Sequence, residues 1–142
     1  MPQQQFYTLE ACKAQATERQ TEYALSVVHL CKSSYTPTGS STKTDLTANE
    51  ADYDSYASIT LTAWDGPILA PGTGYMILSP NALFEVGASD PVVGNTIGSF
   101  WVEDAGGVVR MVGIFETPLP MQLAGQGIPL SLVDIFPTGY AG

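Results

Sequence analysis

The side chains that could do chemistry are few. His29 is the only histidine, Cys12 and Cys31 are the only cysteines, and four acids fall close together at Asp45, Glu50, Asp52 and Asp54. A histidine can serve as a base or a metal ligand, but a metal site needs further donors at ligand spacing. No Asp/Cys motif at metal spacing sits near His29, so it reads as a core or interface histidine. Asp52-Tyr53-Asp54 suggests calcium. The glycine and closing glutamate of an EF-hand loop are absent, and no metal is assigned. Cys12 and Cys31 lack a CxxC or CxH pattern and read as free buried thiols.

The remaining catalytic patterns also fail. There is no Gly-x-Ser-x-Gly, no HExxH, no phosphate loop and no dinucleotide fingerprint, and Gly72-Thr73-Gly74 reads as a turn. No pair of acids is singled out for glycoside hydrolysis. Trp64, Trp101 and Tyr75 are the aromatics that would stack on a sugar if they shared one flat exposed face; on strands such residues usually form core or interface. The expectation is a chain without enzymatic activity or cofactor.

Composition narrows the partners. Lys and Arg number 5 against 14 Asp and Glu, for a net charge of -9, and the cations Lys13, Arg19, Lys32, Lys43 and Arg110 are scattered. Nucleic acid is therefore excluded as a partner, because neutralising phosphates takes clustered cations. Charged residues are only 13% of the chain, so Thr, Ser, Asn, Gln and small residues must cover the surface. No apolar run approaches the ~20 residues of a membrane-spanning helix. The N-terminus lacks a basic segment followed by an apolar one, which leads us to expect a soluble protein that is not exported through a signal peptide.

The elements that must position these residues are mostly strands. Ile97 to Glu103 and Val108 to Phe115 are apolar, β-branched and aromatic runs separated by Asp104-Ala105-Gly106-Gly107, which predicts a central hairpin. Alternation places Val108, Arg110, Val112 and Ile114 on one face and Val109, Met111, Gly113 and Phe115 on the other. Both faces are largely apolar, so a second layer must cover at least one.

Around the hairpin, residues 1–5 read as a polar arm. Leu9 to Gln20 reads as a helix capped by Thr8, with so weak an apolar stripe that it needs a neighbour and acts as a lid or an intersubunit element. Tyr23 to Lys32 reads as a buried strand and Ser33 to Leu46 as a surface loop. Thr47-Ala48-Asn49-Glu50 reads as a capping box opening one helical turn. Tyr56 to Trp64 alternates as a strand with Ala57, Ile59, Leu61 and Ala63 inward. Short strands follow at Ile68 to Ala70, Tyr75 to Leu78 and Ala82 to Val86, divided by Pro71-Gly72 and Ser79-Pro80-Asn81. Pro118 and Pro120 should limit pairing after the hairpin. Ile128 to Phe136 reads as the last strand, and residues 137–142 as a tail. The architecture expected is all-β, an antiparallel β-sandwich over residues 23–142, preceded by an arm and helix over residues 1–22.

Two segments carry a resemblance. Leu30-Cys31-Lys32-Ser33-Ser34-Tyr35-Thr36-Pro37-Thr38, followed by Thr44 to Ala57, resembles a pattern in small virion structural proteins of tailed bacteriophages: a strand, a Lys-polar-polar-Tyr-Thr-Pro turn, an acidic capped turn and a strand leading to a Trp. Ser55 stands where that pattern has glycine, and Cys31 where it has an aromatic. Gly94 to Phe100 and Phe115 to Pro118 are similar to the family's second half. The resemblance implies a non-enzymatic capsid decoration or cement protein on the virion surface, made in the bacterial cytoplasm. Its partners would be the phage major capsid protein and further copies of itself, in a homo-oligomer such as a trimer. Phe6, Tyr7, Leu9, Arg19, Tyr35 and Tyr53 are the expected interface residues, and the segment Gln3 to Gln20 is expected to reach a neighbour. Two alternatives share the composition: a tail, neck or head-fibre component, and a carbohydrate-binding module.

Overall fold

The computed structural model describes Gln3 and residues 5–139; Met1, Pro2 and Gln4 of the expected arm and Tyr140, Ala141 and Gly142 of the expected tail lie outside the described residues. In chain order the elements are α1 (Leu9–Tyr23), β1 (Val27–Lys32), α2 (Lys43–Ala48), β2 (Ile59–Thr60), β3 (Asp65–Ala70), β4 (Gly74–Leu78), β5 (Ala82–Glu85), β6 (Asn95–Glu103), β7 (Val109–Met121), β8 (Gly127–Leu130) and β9 (Val133–Pro137). Strands dominate, and all their pairings are antiparallel. They form sheets ordered β2-β1-β6-β7, β3-β4-β9 and β5-β8, packed around one main core in an all-β, sandwich-like fold with an N-terminal helix.

The central hairpin forms as expected. Gly107 takes the left-handed conformation in its loop (φ 86), and the Asp104 carboxylate accepts from Gly106 N at 2.9 Å and Val108 N at 3.0 Å. The face assignment needs correction at one residue. A bulge sets Glu103 opposite Val109 but Val102 opposite Met111, so Arg110 is the extra residue. Val109 thereby moves to the face of Trp101, Val112 and Ile114, while Met111, Gly113 and Phe115 stay on the core face. Phe100 lies across Gly113, where any Cβ would overlap its ring.

Strand β7 also runs on through Pro118 and Pro120, past the expected stop. It is an edge strand, where a missing N–H can face the open side without breaking a ladder.

Two other strands are shorter than their patterns suggest. Of Tyr56 to Trp64 only Ile59 and Thr60 pair, with Val28 and Val27. Of the expected inward face Leu61 is buried and Ile59 half-buried, but Ala57 and Ala63 are exposed, and Trp64, of the opposite parity, is buried instead. The last run breaks at Ser131-Leu132 into β8, which pairs β5, and β9, which pairs β4. The break falls opposite Ser79-Pro80-Asn81. Leu132 N donates to Ser79 Oγ at 2.8 Å, Ser79 N donates to Leu132 O at 2.9 Å, and the Ser131 hydroxyl donates to Asn81. Both strand pairs therefore turn from one sheet to the next at a shared corner.

The helix α1 has its predicted N-cap, Thr8, whose hydroxyl accepts from Ala11 N at 3.1 Å. It extends beyond Gln20 to Tyr23, because the Tyr23 ring packs against Trp64 at 5.0 Å and its hydroxyl donates to Asp134 at 3.0 Å. Its buried residues are Cys12, Ala16 and Tyr23, and the helix lies on the β3-β4-β9 sheet. The small side chains that weaken its stripe are what allow this close approach. The helix is thus packed into the body of its own chain, in place of the expected lid.

Candidate functional site

The residues with chemical potential converge on the face of β1, β6 and β7 that points away from the main core. Cys31, Leu46 and Trp101 form a second, smaller core there, flanked by Tyr35, Val109 and Val112. The helix α2 covers it, and its capping box is not the expected one. Thr42 Oγ1 accepts from Asp45 N and Asp45 Oδ2 accepts from Thr42 N, each at 3.1 Å, so the helix opens five residues earlier than Thr47.

Glu50, released from capping, meets His29. His29 Nδ1 lies 2.8 Å from Glu50 Oε2, and Nε2 lies 2.9 Å from Glu103 Oε1. Lys43 Nζ reaches Glu103 Oε2 at 2.6 Å from the first turn of α2. On the other side the Tyr56 hydroxyl donates to Glu50 at 2.7 Å and accepts from Leu30 N at 3.1 Å. The His29 ring stacks on Trp101 with centroids 3.9 Å apart and planes 9° from parallel. A continuous chain of Lys43, Glu103, His29, Glu50 and Tyr56 thus ties α2, β6, β1 and the segment before β2 together.

The electrostatics favour charge on each member. Burial by itself would push the His29 pKa down, but hydrogen bonds to Glu50 and Glu103 outweigh it and hold the imidazole above its ordinary 6.5. Burial likewise opposes ionisation of Glu50; the bonds from His29 and Tyr56 reverse that and hold its carboxyl below 4.5. Glu103 is treated the same way by burial, Lys43 and His29, with the same net lowering. With a carboxylate against each ring nitrogen, the geometry suits an imidazolium that donates to both, an arrangement in which neither nitrogen is free to act as a base or a metal ligand.

The other acids hold separate partners instead of gathering. Asp52 pairs Lys32 at 3.0 Å and accepts from Asn95 Nδ2 at 2.9 Å, while Asn95 Oδ1 accepts from the backbone of Asp52 and Tyr53. Asp54 accepts from Val92 N at 2.6 Å and Val93 N at 3.3 Å. Among the described residues no three His, Cys, Asp or Glu side chains are placed to hold a metal ion. Cys12 and Cys31 are free and buried, and burial pushes the Cys31 thiol up. Trp64 and Trp101 are each 1% exposed, so the two tryptophans form no sugar-stacking platform. A shallow groove of about 480 Å³ runs between Pro37–Ser41 and Val109–Ile114. Its one charged lining residue, Arg110, is tied to Asp104 at 2.9 Å and to Glu22 at 3.6 Å.

The expected interface residues divide. Phe6, Tyr7 and Leu9 are exposed. Arg19 is half-buried and pairs Glu22 on its own helix at 2.9 Å. Tyr35 is half-buried against the second core, with its hydroxyl 2.7 Å from Ser41 Oγ. Tyr53 has to be withdrawn: it is 2% exposed, edge-on to Tyr56 in the main core, and reaches no surface. The exposed side chains of β3 and β9 were missed, since alternation in short runs apolar on both faces does not say which face turns outward. Protein-family models, curated proteins and solved structures yield no match to this chain.

Proposed function

We propose that the protein is a non-enzymatic structural component of a tailed-phage virion, a decoration or cement subunit that binds the outer shell and stabilises its capsomer junctions. Beyond the sequence resemblance, one observation carries this reading: the ionisable groups that could react are tied to structural partners, while apolar side chains face outward. Four of the five cations are held in ion pairs, Arg19 with Glu22, Lys32 with Asp52, Lys43 with Glu103 and Arg110 with Asp104. The outward field is left acidic, while Phe6, Tyr7, Leu9 and Val92 stand exposed as contact residues. Weak contacts of this kind gain strength when repeated over a lattice. The exposed stretch Phe6 to Leu9 is the part of the N-terminal segment able to reach a neighbour.

The test is co-sedimentation with empty shells assembled from the major capsid protein of the same phage, followed by cryo-EM of the particles. Density at capsomer junctions, lost when residues 3–9 are deleted, is expected. Absence from the shell with density at the tail or neck would replace the decoration role with the other virion role; absence from particles altogether would end the reading.

A further inference from the structure

Beyond the pair Asn95 and Met121, the ladder of β6 and β7 opens into two neighbouring loops, residues 87–94 before β6 and residues 122–126 after β7. Each shows apolar side chains to solvent: Val92, 95% exposed, with exposed Val93 beside it, and Leu123, 57% exposed. None of the three joins either core. Loop tips that bury nothing are usually left loose, because ordering them costs entropy without return. These are fastened. The Asp54 carboxylate accepts from Val92 N at 2.6 Å and Val93 N at 3.3 Å, and Asp54 N donates to Val93 O at 3.0 Å. Asp90 Oδ1 accepts from Ala124 N at 2.7 Å and so ties one loop to the other. Gln126 Oε1 accepts from Gln122 N and Leu123 N, each at 2.8 Å.

We infer that this fastened crest is a contact with the shell, Val92 and Leu123 entering an apolar socket on the shell protein whose rim is basic. The inference deepens the shell-decoration reading and rests on it for the partner. Charge selects the rim. Asp54 and Asp90 are exposed, bond only backbone amides and form no ion pair among the described residues, while nearby Lys32 is already taken by Asp52 at 3.0 Å. Seating the apolar tips brings both carboxylates against the partner, where only cations would offset their lost hydration. A second copy supplies no such rim, since it carries a net charge of -9 and four of its five cations are already paired. The fastening lowers the cost of docking, because loops already held lose little freedom when they bind.

The test uses the full-length protein and empty shells assembled from the major capsid protein of the same phage. Val92→Asp should weaken co-sedimentation about tenfold or more, because it carries a charge into the socket. Melting should be unchanged, since Val92 is almost wholly exposed in the free chain. Binding of the wild type should weaken as salt is raised. A benzophenone on Val92→Cys should cross-link to the shell protein, and one on Glu18→Cys, at an exposed site on α1, should not; both native thiols are buried and stay unlabelled. Wild type and Val92→Asp bound equally well, or cross-links from Val92→Cys that join two copies of this chain, would overturn the crest contact and leave the decoration role standing. Binding indifferent to salt would overturn the basic rim. A wild type that binds no shell ends the decoration role and the crest contact with it.

Discussion

Two sheet faces of this molecule invert the usual relation between charge and cover. The face of β1, β6 and β7 around Trp101 is covered by the chain's own α2, and there the cover is fastened with ions: Lys43, Glu103, His29 and Glu50 in sequence. The outward face of β3, β4 and β9 has no cover among the described residues, yet apart from Asp65 beside Leu78 it is apolar. Buried ion pairs cost desolvation and are retained where they fix one arrangement over others. Here the ionic chain sets α2 and the Glu50 segment against β1 and β6. A bare apolar wall specifies nothing within its own chain. The two faces thus differ in kind: one is fastened by charge within the chain, and the other leaves apolar side chains exposed.

The sharpest way to break the contrast is to remove the floor of the covered face. Trp101→Ala deletes the ring under His29 and the centre of the second core, and should lower stability by about 3–5 kcal/mol in chemical denaturation. A loss under 1 kcal/mol would mean that α2 and its ions hold this face without the ring. A smaller effect is expected from Glu50→Gln. It keeps the shape but takes one carboxylate from His29 and weakens the acceptor of Tyr56, and should cost about 1.5–3 kcal/mol. The same substitution should lower the His29 pKa, read by proton NMR of the only histidine in the chain.

That ordering also explains what could be read in advance. The central hairpin was legible because its signal is local: two β-branched runs and a glycine loop. Thr8 as a cap and the strands of β4 and β5 were legible for the same reason. The second capping box was not, since Thr42-Lys43-Thr44-Asp45 and Thr47-Ala48-Asn49-Glu50 both satisfy the local rule to a first approximation. What decides between them is His29, distant in sequence, which takes Glu50 as its partner. The switch of Val109 to the Trp101 face depends on a bulge, and the break at Ser131 on a corner shared with Ser79. Neither leaves a mark in periodicity. The four neighbouring acids show the same limit. Adjacent in sequence, they serve as a helix cap, a histidine partner, an asparagine and lysine partner, and a clamp on the loop at Val92.

Stability against pH sharpens the comparison on the covered side. His29 has a folded pKa above 6.5, so its contribution is fully present below the unfolded value and is lost as pH rises through the raised one. Glu50 and Glu103 have folded values below 4.5, so their contributions are present above that and are lost as pH falls through the lowered ones. The ionic chain is therefore at full strength between about 4.5 and 6.5, the ordinary glutamate and histidine values. Unfolding free energy should decline as pH is raised from this window toward alkaline values, and His29→Gln should flatten that decline. A wild-type profile with no such decline would place the imidazole in the neutral form.

The smallest effect belongs to the uncovered wall, and its smallness is the point. Ile135 is 49% exposed and packs against neither core, so in a dilute monomer Ile135→Thr should change stability by no more than about 0.5 kcal/mol, the range of ordinary surface positions. Threonine keeps the β-branched shape that suits a strand, which separates burial from strand preference. Melting curves that separate with concentration would assign the wall's apolar area to association. Curves that differ equally at every concentration would instead assign Ile135 to the folding of a single chain, and the contrast between the two faces would vanish.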